Sequence, residues 1–243
     1  RAPLTKGQVA RFQEGALTLP AKLGRILAGF VAICLATRLR FADAQRARDE
    51  PFVDLDPEGH GFVELPLGKV KNANTMVGGT ASKAAVGHAR GVMGTDWAQA
   101  WLKLRAEAGL HVKKNRCLLP CPSPSGGFHK RRMRSDELVV WMKRQINETP
   151  GLSLKGQRVG SHSCKKTLLS WAAKYGVSKE VRRDLGYHGR PGDKSISAYS
   201  RDFQAAPLRR LLVVERAIGE GTFHPDHTRS GYFTAKRKRE EAG

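Results

Sequence analysis

Four short stretches carry side chains of the kinds that hold an anion. They are Thr37-Arg-Leu-Arg-Phe-Ala-Asp43, Lys69-Val-Lys71, His162-Ser-Cys-Lys165, and Leu185-Gly-Tyr-His188 running on to Ala198-Tyr199-Ser-Arg201. A guanidinium presents a planar fork matched to two phosphate oxygens, whereas a lysine ammonium is a compact point charge. Taken singly, none of the four is decisive. Arg38 and Arg40 suit the end of a helix, where they answer its dipole. Lys69 and Lys71 suit a solvated loop, and Tyr199 suits an amphipathic position with its hydroxyl at the surface. His162 and Lys165 are three residues apart, so a helix through them puts both on one face.

Composition narrows the choice of partner. The chain has 243 residues, with 43 Lys+Arg against 22 Asp+Glu for a net charge of +21, and the excess is spread along the sequence. A polyanion is the natural partner; ribosomal, membrane-surface and nucleic-acid proteins all share such a balance, and nucleic acid is favoured. With 40% hydrophobic residues the chain supports one main domain. The longest apolar run, Ile26 to Ala36, is too short to cross a bilayer and is bracketed by Arg25 and Arg38. No secretory signal is visible, and because the chain opens on an arginine its true start is expected upstream. Cys34, Cys117, Cys121 and Cys164 are scattered, which fits a reducing compartment. Cys117 and Cys121 lack a second pair at zinc-ligand spacing, so no structural metal is expected.

The elements that must position the four stretches follow from periodicity. Pro20 is read as opening a helix whose broad apolar face holds Leu23, Ile26, Leu27, Phe30, Val31 and Cys34, and which runs into Arg38 and Arg40. Phe52 to Gly61 reads as a Pro-, Asp- and Gly-rich turn region. Phe62 to Leu67 alternates like a short strand, and Pro66 makes it an edge strand. Gly68 to Gly94 reads as a loose hairpin and connection. Thr95 is expected to cap a helix carrying Trp97, Trp101, Leu104 and Ala108, with the tryptophans in the core and Gly109 at the end. Cys117 to Gly127 reads as a loop, followed by the basic run His129 to Arg134. Ser135 is expected to cap the helix of Leu138, Val139, Met142 and Ile146, which Pro150-Gly151 breaks. Further helices are expected over Ser161 to Tyr175 and Leu208 to Ile218; the second packs on its own domain or on a neighbour, which periodicity does not separate.

In this order, the four stretches resemble the active-site boxes of the tyrosine recombinase (phage-integrase) family, and the resemblance covers most of Pro20 to Asp202. Ser161 to Trp171 further resembles divergent recombinases of eukaryotic mobile elements. The resemblance implies a mainly α fold with a small antiparallel β-sheet, an α+β catalytic domain over residues 1–205, followed by a C-terminal helix and basic tail over 206–243. It implies that Tyr199 attacks a DNA phosphodiester to give a 3′-phosphotyrosyl intermediate, which a second strand's hydroxyl reverses without ATP, metal or other cofactor. Arg40, followed by Asp43 at the family's spacing, corresponds to the first arginine, with Arg38 as the alternative. Lys71, or Lys69, corresponds to the hairpin lysine that protonates the leaving oxygen. His162 corresponds to the histidine of H-x-x-R, and His188 to the late histidine. The implied partner is double-stranded DNA, bound by tetramers on paired sites, with no membrane and no small-molecule cofactor.

Two departures stand against full activity. The second arginine is replaced by Lys165, which cannot make a bidentate phosphate contact, although Lys166 lies next to it. Tyr187 intervenes between Gly186 and His188; it could substitute for the late histidine by hydrogen bonding, and it is also a rival nucleophile. The alternative readings are therefore a domesticated, non-catalytic DNA-binding domain, or a relaxase resembling the type IB topoisomerases. Lys236 to Arg239 would suit nuclear import in a eukaryotic host. In a host that is not eukaryotic, the protein would be intracellular and DNA-associated.

Overall fold

A computed structural model describes residues 1–67, 83–187 and 203–234; the side chain of Lys83 is outside the described set. The architecture is mainly helical with small antiparallel sheets. Helix α1 (Lys6–Thr18) is followed by α2 (Lys22–Ala36) and a single turn, α3 (Phe41–Ala44). Strands β1 (Phe52–Leu55), β2 (Gly61–Leu67) and β3 (Lys83–His88) form an antiparallel sheet in the order β1-β2-β3. Helices α4 (Trp97–Glu107) and α5 (Val112–Asn115) lead into a short hairpin, β4 (Pro120–Pro122) with β5 (Phe128–Arg132). Helices α6 (Ser135–Glu148), α7 (Ser161–Tyr175), α8 (Lys179–Leu185) and α9 (Ala205–Gly219) follow, and a two-residue hairpin, β6 (Phe223–His224) with β7 (Tyr232–Phe233), ends the described chain. No helix among the described residues is long and apolar enough to cross a membrane.

Helix α2 is the centre. Every residue from Ile26 to Ala36 is buried, because α1, α4, α7 and β3 pack around it. That encirclement explains why its apolar face is so broad: a helix covered on all sides has no polar stripe to keep. It starts at Lys22, with no side-chain cap on Ala21, so Pro20 stands just outside the helix it was expected to open.

Helix α1 is an addition to the elements expected from the sequence. Its start is a capping box, in which Gln8 N–H donates to Thr5 Oγ1 and Thr5 N–H donates to Gln8 Oε1 (3.3 and 3.1 Å). Val9, Phe12 and Ala16 are then buried, and α1 packs against α2. The Thr-x-x-Gln spacing and this periodicity were both present in the sequence.

The sheet corrects two expectations. Phe52 to Leu55 forms β1 within the stretch read as turn, so β2 is the central strand of the sheet and not an edge. Pro66 is tolerated there because its carbonyl accepts from Arg48 N–H (2.9 Å), on the side β1 has already vacated. A strand residue directs its N and C=O to the same side, so the missing donor removes no β2–β3 bond. Within the stretch read as a loop, Pro120 to Pro122 pairs with β5. The cap positions of α4 and α6 are Asp96 and Arg134, each one residue away from the Thr95 and Ser135 read as caps. Helix α9 packs on α7, α8 and β3 of its own core through Leu208, Leu211, Val214 and Ile218.

The α2–α4 contact is closed by a glycine. A Cβ on Gly29 would fall 1.9 to 2.5 Å from three atoms of the Trp101 indole, and that indole is itself fixed by its N–H bond to Ile26 O (3.0 Å). Both residues are fully buried, so neither can move aside cheaply. Gly29→Ala is expected to destabilise the fold by about 3 kcal/mol, at or above the usual range for overpacking, seen as a lower urea midpoint at unchanged slope.

Candidate functional site

Helix α7 is anchored by its buried face, Ser163, Cys164, Thr167, Leu168, Trp171 and Ala172. Thr167 Oγ1 adds a tie by accepting from Leu4 N–H (2.9 Å) while donating to Ser163 O (2.7 Å). This pose leaves His162 exposed and Lys165 half-buried one turn further on. Arg40 approaches from another element. It occupies the N-cap position of α3, in extended backbone, with its side chain exposed.

The three groups share one electrostatic field. Burial lowers the proton affinity of His162 first, and the positive charge of Arg40 lowers it further, ahead of Lys166. Lys165 is lowered in the same way, first by burial and then by Arg40, with Asp43 acting in the opposite direction. Arg40 from one part of the sequence and His162 and Lys165 from another thus act on one another, and Asp43 acts on Lys165 with the opposite sign. Such a cluster is a ready receptor for an anion with several oxygens. A cavity of about 510 Å³ lined by Arg1, Lys143, Arg158 and Ser161 extends the basic surface past the start of α7.

Lys165 already has one employment. Its ammonium donates to Gly186 O (3.0 Å) at the end of α8, a cation on helix-terminal carbonyls. An ammonium has three N–H donors, and this bond uses one of them.

Arg38 and Tyr187, weighed above as alternatives to Arg40 and Tyr199, both turn inward. The Arg38 side chain is completely buried, with 0% exposed. Its Nε donates to Leu185 O (2.8 Å), Nη1 to Ala36 O (2.6 Å), and Nη2 lies within bonding distance of Val86 O, Gln204 Oε1 and Tyr187 Oη (2.9, 3.1 and 3.2 Å). The Tyr187 hydroxyl also accepts from Val86 N–H (3.2 Å), and burial pushes its phenol pKa up. A hydroxyl committed to β3 and to Arg38, and resisting ionisation, is poorly placed to attack a ligand or to stand in for a histidine. Lys69, Lys71, His188, Tyr199, Arg201 and the Lys236 to Arg239 tail lie outside the described residues.

Sequence reasoning did not find two polar contacts that frame this region. His88 Nδ1 meets Glu215 Oε2 in the interior, joining β3 to α9 across 127 positions of sequence. Gln204 Nε2 donates to Asp184 O (2.6 Å), joining the start of α9 to the end of α8. No local pattern announces either. Among the described residues, Asp56, Glu58 and His60 could approach one cation. All three are exposed, and Asp56 Oδ1 already accepts from the backbone N–H groups of Glu58 and His60 (3.0 and 2.8 Å), as in an ordinary hairpin turn.

No family model matches the chain, and no curated protein matches it. Among solved structures, the XerH site-specific recombinase bound to its difH substrate, a pre-cleavage complex, is similar at a TM-score of 0.45 and 14% identity. The match covers 100% of this chain, which spans about half (54%) of that protein.

The shared field has a direct readout. The His162 imidazole is expected to titrate below the ordinary histidine value, and Arg40→Ala to move its midpoint upward, because a like charge that opposes protonation is removed. Titration of the His162 ring proton by NMR measures both; an unmoved midpoint in the variant would separate the two residues.

Proposed function

We propose that this chain is the catalytic domain of a site-specific DNA recombinase of the tyrosine type, which cleaves and rejoins DNA through a 3′-phosphotyrosyl intermediate and assembles on paired sites. The observation that carries this reading is the convergence of Arg40, His162 and Lys165. They come from two of the sequence stretches that resemble the family's active-site boxes, on a chain whose net charge is +21.

The chemistry follows from the side chains. Tyr199 Oη attacks phosphorus and releases its proton to water, the new P–O bond forms as the bond to the 5′-oxygen breaks, and Lys71 gives that oxygen a proton. Arg40 takes two non-bridging oxygens, while His162 and Lys165 supply further donors as negative charge grows on the phosphorane. Attack by a 5′-hydroxyl on the phosphotyrosyl bond runs the step backwards, with Tyr199 as leaving group. The bond energy is conserved at every stage.

The test is covalent trapping. Incubated with nicked suicide duplexes from a randomised pool, the protein is expected to form a denaturant-resistant DNA adduct that Tyr199→Phe abolishes. An adduct that survives this substitution would remove Tyr199 from its role.

A second reading is favoured by one specific contact, the use of the Lys165 ammonium to cap α8. A lysine held as a structural cap, where a phosphate fork would serve cleavage, suits a DNA-binding domain that no longer cuts. Lys165→Arg separates the two, since a guanidinium can keep the bond to Gly186 O and still offer a fork. Adduct formation is expected to rise by about tenfold or more if the site is poised for chemistry, the scale of one transition-state contact. DNA binding without an adduct in either form would favour the non-cutting domain.

A further inference from the structure

Arg38 occupies a position that normally takes glycine. It follows the C-cap of α2 with φ 53°, in the left-handed region. The Leu39 N–H reaches back to Cys34 O and the Arg38 N–H to Leu35 O (both 3.0 Å), the paired bonds of a Schellman ending. An L-residue with a side chain is strained there by about 1–2 kcal/mol. Tyr187, after the C-cap of α8, is another of the four described non-glycine residues with positive φ, at 59°. The two strained residues face each other, the guanidinium carbon lying 5.5 Å from the centre of the Tyr187 ring.

Among the described residues, the side chains and carbonyls that the Arg38 guanidinium bonds to are neutral groups. Each bonding partner of Arg38 is a carbonyl, the Tyr187 hydroxyl or the Gln204 amide oxygen, so the site is built around direction and not around charge neutralisation. Three successive carbonyls at the end of α8 are bound in turn by three elements: Asp184 O by Gln204, Leu185 O by Arg38 and Gly186 O by Lys165. Gly87 lets β3 come close enough to take part, since a Cβ there would lie 2.4 Å from the carbonyl of Ala36. Arg38 therefore joins the turn that carries Arg40 to both residues that border the segment 188–202, Tyr187 on one side and Gln204 (after Phe203) on the other.

We propose that Arg38 is a positioning residue: with Tyr187 and Gln204 it fixes the two ends of the segment bearing Tyr199 relative to Arg40 and Lys165, and so governs DNA cleavage while leaving DNA affinity largely unchanged. This rests on the recombinase reading for its consequence in catalysis. The clamp itself rests only on the described contacts. Lysine has too few donors in the wrong directions to replace the planar fork, and glycine would relieve the backbone strain but remove the guanidinium bonds to Leu185 O, Ala36 O and Gln204 Oε1.

The experiment compares the wild type with Arg38→Gly, Arg38→Lys and the milder Tyr187→Phe and Gln204→Leu. It measures DNA affinity, adduct formation, thermal unfolding and hydrogen exchange at the Gly186, Tyr187 and Leu208 amides. For Arg38→Gly the expected result is near-wild-type affinity, an adduct rate lower by about 100-fold, the cost of a misplacement on the order of 1 Å, and faster exchange at all three amides. Arg38→Lys is expected to fall between glycine and wild type. If Arg38→Gly does not fold, Tyr187→Phe and Gln204→Leu carry the test, with smaller losses in the same pattern. Cleavage and affinity falling in proportion, or a cleavage rate and exchange equal to wild type, would overturn the proposal. If the wild type yields no adduct, the recombinase reading fails separately, and the exchange rates alone decide: unchanged protection in the variants overturns the clamp, and lost protection sustains it.

Discussion

The rest of the structure depends on the complete burial of α2. Its run from Ile26 to Ala36 has no face for water, so the surrounding helices and β3 must cover it on every side. Covering it fixes where its end emerges, and that end is the Thr37 to Arg40 turn. The close approaches at Gly29 and Gly87 are consequences of the same constraint, since both let a neighbour come nearer to α2 or its end than any side chain would permit. A site built on this turn inherits the rigidity of the core behind it.

Two arginines two residues apart then divide the work of one turn. Arg38 is directed inward to neutral acceptors, and Arg40 is directed outward into the field of His162 and Lys165. The difference is backbone geometry: the left-handed residue at 38 reverses the chain, and the extended residue at 40 starts α3. Burial first, and then the like charge of Arg40, lowers the proton affinities of His162 and Lys165. An anion placed among these groups would relieve the repulsion part of that cost.

Lys165 belongs to both halves of this arrangement. Through Gly186 O it completes the series of bound carbonyls at the end of α8, and its charge lies in the same field as that of Arg40. A residue whose ammonium serves both a structural bond and an electrostatic field resists simple classification from its type. The same holds for Tyr187, whose hydroxyl the sequence left open to catalysis and the fold directs to β3.

What the sequence by itself determined is the part governed by local pattern. The Ile26 to Ala36 run, the Trp97 and Trp101 pair, and the apolar spacing of Leu168 and Leu211 foretold buried helix faces, because helical period and burial are encoded within a few turns. The Thr5-to-Gln8 capping box belonged to the same legible class, although its helix was missed. The relation of Arg40 to His162, more than a hundred positions away, could be named only by resemblance, as no periodicity links them. Tertiary structure alone decided that Arg38 would be inside and Arg40 outside, that Pro66 would lie in a central strand, and that His88 would meet Glu215. Each of these depends on which surface another element covers, and that is settled by packing between segments far apart in the chain.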